Sequence, residues 1–65
     1  MTLKTEYAKT IKEREKDIAL NPCDAEAFSA LGEALFELAK LTDDEKLYYE
    51  SVDRYKKAVE LAPND

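Results

Sequence analysis

The chain has no histidine, one cysteine, one glycine and two prolines among its 65 residues. Without histidine the common zinc sites and the serine-histidine-acid relay are excluded, and no imidazole is present to activate Cys23. One cysteine excludes an internal disulfide framework and points to a reducing, cytoplasmic setting. So little glycine and proline argues against long loops. No apolar run approaches the ~20 residues needed to span a bilayer, and no signal peptide is visible, so membrane insertion is not expected. Basic residues are also short, 10 Lys and Arg against 15 Asp and Glu, giving a formal charge of −5. That balance argues against a nucleic-acid binder, which needs a basic stripe to displace counterions, and against electrostatic attachment to anionic lipid.

What remains is rich in Ala, Leu, Glu and Lys, residues that favour helix. The expectation is an all-α single domain over 1–65, with helices at about 2–20, 25–41 and 43–61. In the first, Leu3, Tyr7, Ile11 and Ile18 form one stripe at amphipathic spacing. The stripe is thin, because Arg14 and Glu15 occupy the turn where another apolar residue belongs. Asn21-Pro22-Cys23-Asp24 breaks the chain, and Asp24 is a good N-cap for the second helix.

That second helix is apolar over half its circumference, so it should be the central and most buried one. Thr42-Asp43-Asp44-Glu45 reads as a capping box, with Thr42 as N-cap and Glu45 at N3. The third helix then turns Leu47 or Tyr48, Val52, Tyr55, Ala58, Val59 and Ala62 inward until Pro63-Asn64-Asp65 stops it. Short breaks make neighbouring helices antiparallel. The expected core is Leu3, Tyr7, Ile11, Ile18, Phe28, Leu31, Ala34, Leu35, Leu38, Val52, Tyr55, Ala58 and Val59.

An internal repeat supports this partition. Ile18 and Val59, Leu20 and Leu61, Pro22 and Pro63, and Asp24 and Asp65 all stand 41 residues apart, as do Ile11 and Val52, and Tyr7 and Tyr48. The first and third helices look like two copies of one element. The chain thus carries half a unit followed by a whole unit, with an open repeat end after Asp65.

Phe28, Leu31-Gly32, Leu35 and Ala39, followed by Ser51, Tyr55, Ala58 and Pro63, resemble the tetratricopeptide repeat over residues 25–65. That resemblance implies a helical hairpin used for docking other proteins. The family repeat has about 34 residues, so about seven extra stand between Lys40 and Ser51; two helical turns of added length accommodate them. Arg14 and Asp17 depart from the family's aromatic and alanine in the first helix. Asn21-Pro22-Cys23-Asp24-Ala25 with Leu35-Phe36-Glu37-Leu38 is also similar to plant-type mitochondrial outer-membrane presequence receptors.

In the tetratricopeptide family this helix lines a concave groove, which implies Glu26, Ser29, Glu33 and Phe36 as ligand-facing. Phe36 lies in the polar arc of the helix, between Gly32 and Lys40, where an aromatic is either a binding anchor or a side chain covered by the first helix or by a second copy of the chain. Glu26, Glu33 and Glu37 make the same face acidic, suited to a basic amphipathic helix. Ser29, Ala30 and Glu33 stand where some family members need Lys and Asn to grip a terminal carboxylate. An acidic-tail adaptor is therefore not expected.

The expected function is non-catalytic binding of a protein or peptide through Glu26, Ser29, Glu33, Phe36, Glu37 and Lys40, without a metal or cofactor. The alternative is a structural repeat scaffold, natural or engineered, that self-associates through its open repeat end as a homo-oligomer.

Overall fold

A computed structural model describes residues 2–62 of the protein, which form three helices: α1 (Leu3–Leu20), α2 (Ala25–Thr42) and α3 (Glu45–Leu61). Each begins on an oxygen-bearing side chain that satisfies an otherwise unpaired backbone N–H. Thr2 Oγ1 accepts from the Thr5 amide at 3.3 Å and Asp24 Oδ1 from the Ala27 amide at 3.1 Å. Asp44 Oδ1 accepts from the Lys46 amide at 3.0 Å.

The last of these corrects the capping-box expectation. Thr42 is the final residue of α2, and its hydroxyl donates back to the Leu38 carbonyl at 2.9 Å. Asp43 then takes the left-handed conformation (φ 54°, ψ 45°) and closes α2 with its N–H on the Ala39 carbonyl. Aspartate tolerates that region better than most residues. With Asp43 committed to ending α2, the cap of α3 moves to Asp44. The break between α2 and α3 is short, with only Asp43 and Asp44 between them. At the far end, the Ala62 N–H bonds to the Ala58 carbonyl at 3.0 Å. The expected stop at Pro63-Asn64-Asp65 lies outside the described residues.

The fold is all-α. Both α1 and α3 pack on α2, and α1 and α3 do not pack on each other. The burial follows from that order. α2 carries Ala27, Leu31, Gly32, Ala34, Leu35 and Ala39, all buried. α3 contributes only Ser51, and α1 contributes no fully buried residue. Several expected core positions are therefore corrected. Leu3 is exposed, as are Val52 (50%), Tyr55 (38%) and Val59 (62%). The apolar arc of α3 is wider than one neighbouring helix can cover, and α2 is its only neighbour. Tyr7, Ile11, Ile18, Phe28, Leu38 and Ala58 are half-buried, while Leu31, Ala34 and Leu35 are buried as expected.

α2 and α3 approach each other closely at Gly32. A Cβ there would stand 3.2 Å from the Ser51 carbonyl oxygen and 3.2 Å from two ring carbons of Tyr55. Across the same point the buried Ser51 hydroxyl donates to the Gly32 carbonyl at 2.8 Å. Gly32→Ala would gain up to ~1 kcal/mol of helix propensity but overpack a junction with backbone on one side, at a cost of about 1–3 kcal/mol. A net loss of stability is expected in urea denaturation. Ser51→Ala, which removes only the cross-helix hydrogen bond, is expected to cost about 1 kcal/mol in the same assay.

Candidate functional site

The polar arc of α2 follows from its sequence, since Glu26, Ser29, Glu33, Phe36 and Lys40 recur at steps of three or four residues. All five are exposed, and Glu37 is half-buried beside them. The six residues do not form a single cluster. Glu26 and Ser29 stand at the beginning of the helix, and Phe36, Glu37 and Lys40 stand about two turns further along.

The first group opens onto a groove of about 960 Å³. One wall is Asn21, Cys23, Asp24, Ala25, Glu26 and Ser29; the other is Tyr55, Ala58, Val59 and Ala62 at the end of α3. A local turn shapes the first wall. Asn21 Oδ1 accepts from the Cys23 amide at 3.2 Å, and the Asp24 amide donates to the Asn21 carbonyl at 3.1 Å. Cys23 is exposed there as a free thiol. A shallower hollow of about 440 Å³ lies on α3 among Val52, Tyr55, Lys56, Val59 and Glu60. Tyr55 and Val59 line both depressions, which makes the apolar surface continuous from one to the other.

The second group is built around an aromatic pair. The Phe36 ring meets the Tyr48 ring edge-on, with centroids 5.6 Å apart and planes at 68°. Lys40 Nζ lies 5.0 Å from the Phe36 centroid and 2.9 Å from Glu37 Oε1. The hydrogen bond to Glu37, followed by its charge, holds the Lys40 ammonium above the ordinary lysine range. Glu37 is thus paired locally. Phe36 remains 39% exposed, so it is neither a core residue nor a free-standing one. Of the two adjacent tyrosines, Tyr48 turns inward and Tyr49 faces out, as their opposed positions on the helix require.

Sequence reasoning placed Tyr55, Ala58, Val59 and Ala62 inward and so missed them as a groove wall. Their apolar spacing is the same for a core and for an open groove, and only the number of neighbouring helices tells the two apart. Among the described residues, no group of three histidine, cysteine, aspartate or glutamate side chains is placed to hold a metal ion. Among the same residues, no helix is long and apolar enough to cross a membrane.

Tyr55 links the groove to the acidic face. Burial, and then the negative charges of Glu33 and Glu37, hold its phenol above the ordinary value of 10.0. Folding therefore favours the neutral phenol, and its contribution is fully present below the unfolded-state value and is lost as pH rises through the folded-state value. The stability of the wild-type protein should fall more steeply above about pH 10 than that of Tyr55→Phe, which lacks the ionisable group. Thermal melts of the two proteins across pH 8–11 check this through the difference between them.

Compared with known proteins, the chain matches no family model, no curated protein and no solved structure.

Proposed function

We propose that the protein is a non-catalytic docking module of tetratricopeptide type that binds an amphipathic, basic helical segment along α2 and into the groove beside it. The single observation that carries this is Phe36. It is an aromatic side chain 39% exposed in an otherwise polar helical arc, held in one orientation by Tyr48 and Lys40. A large aromatic that is already ordered loses little conformational freedom when a partner covers it, which is what a binding anchor needs.

Charge sets the kind of partner. Glu26 and Glu33 lie along the same side of α2, and Glu26 and the N-cap Asp24 border the groove. The floor supplied by Ala58 and Val59 is apolar. An apolar floor with an acidic border suits a helix whose anchors recur at three and four residues and whose flanks carry lysine or arginine. The tetratricopeptide assignment is supported by the match of Gly32, Ser51, Tyr55 and Ala58 to the family's pattern. It is supported too by the close helix approach at Gly32, Ser51 and Tyr55.

The probe is a synthetic leucine-arginine amphipathic helix, with a leucine-glutamate peptide of the same apolar spacing as its control. The arginine peptide should bind and lose affinity as salt is raised, and the glutamate peptide should not bind. Phe36→Ala should weaken binding by at least about tenfold while costing only about 1 kcal/mol of stability, the scale of one edge-on aromatic pair. Equal binding of both peptides, or an unchanged affinity for Phe36→Ala by fluorescence anisotropy, would sink the proposal.

A further inference from the structure

The internal repeat identifies what fits the uncovered side of α3. Ile11 and Ile18 of α1 correspond to Val52 and Val59 of α3 at the same offset of 41 residues. Their surroundings differ. Ile11 and Ile18 are half-buried, and α2 is the only helix that α1 touches. Val52 and Val59 are 50% and 62% exposed beside Tyr55. The chain therefore displays one stripe twice, once covered by α2 and once open.

The face of α2 that serves α1 is also defined. Gly32 meets α3, and Ala27, Ala34 and Leu38 lie about a third of a turn or more away around the helix. α1 is the only other helix on α2. It holds that face without a single fully buried residue of its own, so it is the element most easily displaced.

We infer that copies of this chain associate head to tail by helix exchange, with α3 of one copy seated on α2 of the next in the place that α1 occupies within the chain. The occupant of the Val52–Tyr55–Val59 face is thus α2 of a second copy. The contact is heterologous, joining two different surfaces, so repeated use of it builds rings or open chains of more than two copies. α1 is a competitor for its own α2. Association should accordingly strengthen whenever α1 is loosened.

Light scattering and sedimentation over a dilution series from millimolar to low micromolar test this, with circular dichroism on every variant. The wild-type mass should rise with concentration beyond that of a dimer. Val52→Glu with Val59→Glu, both on exposed positions, should stay monomeric with an unchanged helical signal. Ile11→Ala with Ile18→Ala should associate roughly tenfold more strongly, because the competent state with α1 displaced becomes more populated. Glu50→Gln, an exposed position on the far side of α3 from Val52, Tyr55 and Val59, should associate as the wild type does.

Three results would overturn the inference. One is a wild-type protein that stays monomeric throughout the series. Another is a Val52→Glu, Val59→Glu variant that associates like wild type. The third is an Ile11→Ala, Ile18→Ala variant whose association is unchanged or weaker, or whose loss of helicity extends beyond α1.

Discussion

Gly32 and Ser51 set the distance between α2 and α3, and most of the molecule follows from that distance. With no side chain on Gly32, the backbone of Ser51 comes within van der Waals reach, and the Ser51 hydroxyl fills the remaining polar gap. The approach presses the Tyr55 ring against α2 on one side and leaves its other side open. It also brings Tyr48 under Phe36 further along. Groove, aromatic pair and open stripe are three outcomes of one close crossing.

The local chemistry of the chain was readable from the sequence wherever a single residue decides the conformation. Asp24 starts α2 because its carboxylate reaches the Ala27 amide, and no distant residue alters that. Gly32 marks a close approach for an equally local reason. At Thr42 two local signals competed. A hydroxyl three residues before a glutamate resembles a helix start, but the same hydroxyl can bond backward to Leu38 and extend the helix it ends. What tips the balance is Asp43 in the left-handed region, a backbone state that its side chain permits without demanding.

Val52, Tyr55 and Val59 show a different limit. Their spacing reports an apolar arc, and the arc is real. Whether such an arc is core or surface depends on how many helices surround it, and that is a property of the whole arrangement. The candidate site divides in the same way. The place of Phe36 in the polar arc was legible, but whether another helix covers it was not, because that too depends on the arrangement of neighbours. The wall opposite Glu26 and Ser29 was not, because its residues carry the same pattern that a core would. The local pairing of Glu37 with Lys40 leaves the acidic charge of this face to Glu33 and to Glu26, the latter at the groove end of the helix.

The linear order of contacts, α1 on α2 and α2 on α3 with nothing joining the two outer helices, has a mechanical meaning. A pull at Thr2 first loads the contact between α1 and α2, and peeling α1 away leaves the Gly32–Ser51 junction untouched. The molecule therefore yields in stages, shedding its first helix under a load that the remaining hairpin still bears.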